Sequence, residues 1–105
     1  MPITNFQQRV YKTTALIPKG RVSTYWEIAV ALGQPQAARA VGNALNKNPY
    51  APQVPCHRVI RSNGEIGGFA SGSDKKRLML QKEGVTVIEN KIDLARYGYR
   101  FETKK

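Results

Sequence analysis

Cysteine and histidine each occur once in this sequence of 105 residues, and they are neighbours in the run Pro55-Cys56-His57-Arg58-Val59. A thiol beside an imidazole is a nucleophile beside its base, the pairing used for covalent transfer of a group onto sulfur. A lone cysteine in a small domain is also commonly a buried, inert hydrophobe, so the pair needs supporting groups before it signals chemistry. Adjacent side chains of an extended segment point to opposite sides of the chain. Direct contact between Cys56 and His57 is therefore strained, and a bridging water is the economical route for the thiol proton. An acid on the far ring nitrogen would orient the imidazole and support its charge. Acids are scarce, with 7 Asp and Glu in all. Glu83, just before Gly84, is the one that the intervening hairpin and loop could return to His57.

The elements that must position these groups follow from periodicity and turn signals. Phe6, Val10, Thr13 or Thr14, and Ile17 recur at helical spacing, and Pro18-Lys19-Gly20 ends that helix. Val22 to Tyr25 reads as short and extended. Ser23 or Thr24 can cap a helix from about Tyr25 to Leu32, with Glu27 near its first turn, and Gly33 stops it. A second helix is expected from about Gln36 to Asn46, with Ala37, Val41, Ala44 and Leu45 on its inner face. The two make a helix-turn-helix over about 25–46. Small residues on the second helix, Ala37, Ala38, Ala40, Gly42 and Ala44, would let its backbone approach another surface closely while Arg39 projects. A close crossing of two helices would explain the same residues.

Asn48-Pro49 closes that helix, and Pro52 and Pro55 are expected to hold the chain extended up to Cys56, giving an active-site segment over 48–60. His57 to Ile60 reads as a strand, Ser62-Asn63-Gly64 as a turn and Glu65-Ile66-Gly67 as the return strand. The glycine-rich stretch Gly67-Gly68-Phe69-Ala70-Ser71-Gly72 is either a connector or the wall of a pocket. Ser73 or Asp74 starts a last helix through Glu83, with Leu78 and Leu80 or Met79 inward. Alternation in 85–88 and 91–94 suggests a terminal hairpin within a basic tail, 85–105. The expected fold class is mainly α with short β-hairpins, a winged-helix-like helix-turn-helix domain.

Length fits a single domain with one core. A single cysteine forbids an internal disulfide and points to a reducing compartment. The first twenty residues lack the apolar run of a signal peptide, and no stretch is long enough to span a membrane. The expected location is cytoplasmic, associated with the nucleoid, or nuclear. Lysine and arginine number 17, for a formal net charge of +10, so a polyanionic partner is expected, nucleic acid first. A basic surface kept for solubility is the plainer alternative.

Together these residues resemble the catalytic domain of O6-alkylguanine-DNA alkyltransferases. The resemblance rests on Asn48-Pro49, Pro55-Cys56-His57-Arg58-Val59, Gly67-Gly68-Phe69, Lys76, Leu78 and Glu83-Gly84. Upstream, Ile17-Pro18-Lys19-Gly20, Val22-Ser23-Thr24-Tyr25 and Ala38-Arg39-Ala40-Val41-Gly42 fit the same pattern in order. The resemblance implies a fold of the alkyltransferase catalytic-domain type. It also implies a protein that takes an alkyl group from O6 of a flipped guanine onto Cys56, once and irreversibly. His57 matches the water-mediated base, Glu83 the acid that orients it, and Asn48 the residue bracing the turn before the active site. Tyr25 matches the tyrosine that bonds the flipped base and can donate a proton to the leaving guanine. Arg39 matches the wedge that replaces the extruded nucleotide, on a helix lying in the minor groove. Ala37, Ala38, Ala40 and Gly42 flank it. Val59, Phe69, Ala70 and Ser71 match the base pocket; Phe69-Ala70 stands where some members have Tyr-Ser, which removes a hydroxyl contact but keeps backbone donors.

The resemblance implies no cofactor and no metal site, a partner in double-stranded DNA carrying alkylated guanine, no membrane association, and a monomer in solution. Many family members carry an additional amino-terminal domain, whereas this sequence starts almost directly at the catalytic domain. Alkyltransferase-like proteins share the short build but replace the acceptor cysteine, so lesion binding without transfer is the alternative function. A generic helix-turn-helix module leaves Cys56, His57, Arg58 and Glu83 unexplained.

Overall fold

The computed structural model describes residues 3–50, 53–67 and 73–101. Five α-helices and two two-residue strands are seen among them: α1 (Asn5–Thr14), β1 (Ser23–Thr24), α2 (Tyr25–Ala31), α3 (Ala38–Asn46), β2 (Val59–Ile60), α4 (Ser73–Lys82) and α5 (Leu94–Tyr97). No helix among the described residues is long and apolar enough to cross a membrane.

Local chemistry sets the helix ends. Thr4 and Gln7 form a reciprocal capping box at the start of α1, with backbone-to-side-chain bonds of 3.0 and 3.1 Å. Val10, Tyr11 and Thr14 then face inward. Of the two candidate caps for α2, Thr24 does the work, its Oγ1 accepting from the Glu27 N–H at 3.0 Å. That helix ends with the paired bonds Gln34 N–H to Ala29 O and Gly33 N–H to Val30 O. Such a closure needs a left-handed residue, supplied by Gly33 at φ +76°. The second helix starts later than its composition suggests, because Pro35–Ala37 forms a tighter 3₁₀ turn before α3. Ala37 therefore precedes the helix and packs against the core, while Val41, Ala44 and Leu45 carry the buried face of α3.

Strand pairing departs from the expected hairpins. The turn over 61–65 is present, with Gly64 N–H donating to Arg61 O and Arg61 N–H to Glu65 O, both at 2.9 Å. The segment from His57 does not continue it as an antiparallel ladder. Cys56–Arg58 coils into a 3₁₀ turn, and β2 lies parallel to β1 in the register Ser23 to Val59 and Thr24 to Ile60. The crossover joining these parallel strands contains the α2–α3 pair, as parallel pairing requires. Alternation along β2 sends Val59 into one core, with Val10, Ile28, Val41 and Leu45, and Ile60 into a second, with Val22, Ile66, Leu80 and Val85. Both residues are fully buried. The single expected core is thus split by the strand pair.

The tail differs as well. Ile88 and Lys91 exchange backbone bonds across Glu89 and Asn90, both at positive φ, but 94–97 turns helical after the Asp93 cap instead of extending a strand. Tyr97 and Tyr99 then bond to Val22 and tie the tail to the edge of β1. On α4 the inward residues are Lys76 and Leu80, whereas Leu78 is 54% exposed. Leu80 is inward as expected, but Leu78 is not, because a lysine occupies the inner position one turn before Leu80.

Candidate active site

Cys56 is aimed by the residue before it. Pro55, at φ −82° and ψ 69°, centres a γ-turn in which the Cys56 N–H donates to Val54 O at 2.9 Å. Proline's ring fixes that φ. Pro52 lies outside the described residues, and at Pro55 the approach to the cysteine turns where an extended run was expected. Asn48 joins its two ends, its Nδ2 donating to Val54 O at 2.9 Å and its Oδ1 accepting from the Tyr50 N–H at 2.8 Å. Cys56 is partly buried against the first core, close enough to influence the ionisation of Tyr11, Tyr25 and Lys76.

Behind the cysteine, His57 is 3% exposed and its Nε2 lies 3.0 Å from Glu83 Oε2. Arg58 grips the same carboxylate with two bonds, Nε to Oε1 at 2.9 Å and Nη2 to Oε2 at 2.7 Å. Its third nitrogen, Nη1, donates to Ile17 O at 2.9 Å and so fixes the end of the first helical segment. Desolvation pushes the Glu83 carboxyl up, but the hydrogen bonds from Arg58 and His57 and their charges outweigh it and hold the group down at about 2. Burial lowers the His57 pKa, and the neighbouring Glu83 only partly restores it. Near neutral pH the imidazole is uncharged. Since an ionised Glu83 can only accept, Nε2 carries the ring proton and Nδ1 keeps the lone pair that a base needs.

The opposite wall is built by Tyr25, Val59 and Lys76. Lys76 is fully buried, its Nζ donating to Val59 O at 2.7 Å and standing 3.5 Å from the Tyr25 hydroxyl. Burial lowers its pKa to about 8, with Cys56 opposing that shift and Arg61 adding to it. Burial also raises the Tyr25 pKa, so its hydroxyl stays protonated and able to donate. Gly67, at φ +72°, has no side chain where a Cβ would stand 3.4 Å from Arg61 and 3.7 Å from the Tyr25 hydroxyl. A bulkier residue there would be strained and would crowd the tyrosine.

In front of Tyr25 lies an open groove of about 630 Å³. One face of α3 lines it with Ala38, Arg39, Gly42, Asn43 and Asn46; Trp26 and the turn from Arg61 to Asn63 form the other walls. Arg39 is exposed, and Gly42 lies over the Tyr25 ring, where an added Cβ would meet it at 3.8 Å. Ala40 is exposed but does not line the groove, and Ala37 is turned to the core. The structure therefore brings Tyr25, Arg39, Ala38 and Gly42 together along the groove, joins Val59 to Tyr25 through Lys76, and pairs His57 with Glu83 next to Cys56. Phe69, Ala70 and Ser71 lie outside the described residues.

Residues 5–85 match the family described as 6-O-methylguanine DNA methyltransferase, DNA binding domain. The chain belongs to that family. The methylated-DNA–protein-cysteine methyltransferase of Methanosarcina barkeri is 52% identical over 80 residues, 76% of this chain and 51% of that protein. A crystal structure of Mycobacterium tuberculosis OGT in complex with DNA superposes with a TM-score of 0.74 at 50% identity, over 76% of this chain and 50% of that one. S. pombe Atl1, in complex with damaged DNA containing O6-carboxymethylguanine, gives a TM-score of 0.85 at 36% identity, over 95% of this chain and 99% of that one. The chain spans about half the length of the curated methyltransferases it matches.

Within this family frame, three groups escaped the reading from sequence. Arg58 had no assigned role, although it supplies two of the three bonds on Glu83. Asn43 and Asn46 follow Arg39 at helical intervals of four and seven, and that spacing was the available signal. Lys76 gave no signal beyond its place in the family pattern, because a lysine is read as exposed by default.

Proposed function

We propose that the chain repairs DNA by transferring an alkyl group from O6 of guanine to Cys56. The observation that carries this reading is the partly buried His57–Glu83–Arg58 cluster directly behind the sole thiol, which itself lies near Tyr25 in the wall of the groove beneath Arg39. In the transfer, the bond from Cys56 Sγ to the alkyl carbon forms as the bond from that carbon to guanine O6 breaks. The thiol proton passes, through water, to His57 Nδ1, while Nε2–H stays on Glu83 and the carboxylate stabilises the imidazolium. Tyr25 gives its proton to the departing guanine, and Lys76 beside it supports the phenolate that develops. A thioether has no leaving route here, so each molecule acts once. The basic charge, the small side chains beside Arg39 and the DNA complexes of the relatives support a duplex partner read through the minor groove.

Incubation with a duplex containing O6-methylguanine should add one methyl mass to the peptide that holds Cys56. An unmodified peptide after complete binding of the lesion would favour the second reading, lesion recognition without transfer. That reading draws on the likeness to Atl1 over almost its whole length. Arg39→Ala separates wedge from chemistry. It should slow repair of duplex DNA by about tenfold or more while leaving reaction with the free base O6-benzylguanine nearly unchanged. Equal losses on both substrates, measured as single-turnover rates, would remove the wedge role.

A further inference from the structure

A second open groove, of about 710 Å³, lies on the far side of Trp26 from Arg39. Its construction is fixed by backbone. Arg21 donates through Nε to Tyr97 O at 3.1 Å and through Nη2 to Gly98 O, while Tyr99 N–H donates to Val22 O at 2.7 Å. These bonds hold the tail against β1 as one wall. Gly98 permits the close turn, since a Cβ there would meet Leu94 O at 2.4 Å. Trp26 and Ser62 line both grooves, so the two are neighbours.

Four features of this groove have no use in the alkyl transfer. Trp26 leaves 48% of its surface exposed, a flat aromatic face at the junction. Ser23 in the lining is 1% exposed, and its Oγ has no hydrogen-bond partner among the described residues. Such an unmet hydroxyl is costly, and a turn about χ1 would let it bond an occupant. Arg100, exposed at the rim, supplies a cation, while Glu27 supplies a single carboxylate. An aromatic face, a cation and an isolated acceptor match the three parts of one nucleotide: base plane, phosphate and exocyclic amino group. A duplex offers no free base face to Trp26, whereas an unpaired strand does.

We propose that this groove binds an unpaired nucleotide of a DNA strand, stacked on Trp26 with its phosphate at Arg100, beside the duplex held beneath Arg39. The inference rests on the reading that duplex DNA occupies the Arg39 groove, and it extends the substrate to junctions between paired and unpaired DNA.

Trp26 is the sole tryptophan, so its fluorescence reports the site directly. With the protein first saturated by an unmodified blunt hairpin duplex, a deoxyadenosine tetranucleotide should quench the remaining emission saturably. Arg100→Ala and Ala95→Glu, both at exposed lining positions, should each weaken tetranucleotide binding by about fivefold or more and leave duplex affinity unchanged. Complete displacement of the tetranucleotide by duplex, or full affinity in both variants, would overturn the proposal. So would deoxyadenosine monophosphate binding as tightly as the tetranucleotide, which would assign the groove to free nucleotides. A hairpin that fails to bind at all would overturn the reading of the Arg39 groove, and titration of the free protein would still decide the second one.

Discussion

Cys56→Ala protein is expected to bind duplex DNA containing O6-methylguanine with wild-type affinity and to transfer no methyl group. No other thiol exists in the chain to take over. The nearby hydroxyl of Tyr25 is held protonated by burial, which makes it a poor nucleophile. Loss of a partly buried sulfur against the first core should cost only about 1 kcal/mol, too little to confuse loss of reaction with loss of fold. Electrophoretic shift with the modified duplex, followed by digestion and analysis of the DNA, separates the two readouts. Residual repair by the variant would sink Cys56 as the acceptor.

Glu83→Gln should produce the second large effect, on both stability and rate. The carboxylate lies between His57 and Arg58 with 13% of its side chain exposed. Replacement leaves the guanidinium without its counter-charge, at a cost of about 3 kcal/mol near neutral pH. The pH dependence has a definite sign. A carboxyl whose folded pKa is depressed from 4.5 to about 2 adds stability that is complete above 4.5 and drains away as pH falls towards 2. Urea denaturation of the wild type should therefore lose stability across that window, and the Gln variant should lose much less of it.

The rate effect distinguishes positioning from simple support of the fold. Without Glu83, the His57 pKa loses the influence that partly offsets its burial and falls further below 6.5. Transfer at neutral pH should slow by on the order of a hundredfold, and the acid limb of the pH–rate profile should move to lower pH. A folded Gln variant with wild-type rate and an unmoved acid limb would refute the relay.

Much of the local framework was legible because it depends on neighbours in the chain. Thr24 with Glu27, and Gly33 and Gly84 at positive φ, are contacts or conformations within one turn, and residue type fixes them. The proposed nucleophile and base, Cys56 and His57, were equally plain as candidates, since neither residue type recurs. So was the excess of positive charge, which needs no coordinates.

Distant contacts are what tertiary structure decided. The Asn63-Gly64 turn is local and present, but the partner of Val59–Ile60 was settled by burial on both faces, which favours the parallel edge of β1 over an exposed hairpin. Proline at 55 signalled stiffness; only the fold shows that the stiffness makes a γ-turn, because φ is fixed by the ring while ψ is set by the surroundings. Lys76 could not be placed inside from its type, since its burial depends on a carbonyl at Val59 and a hydroxyl at Tyr25 that converge from other elements. For the same reason the sequence alone determined which residues could react, while the packing of α4 against the Cys56 turn decided that Glu83 meets both His57 and Arg58.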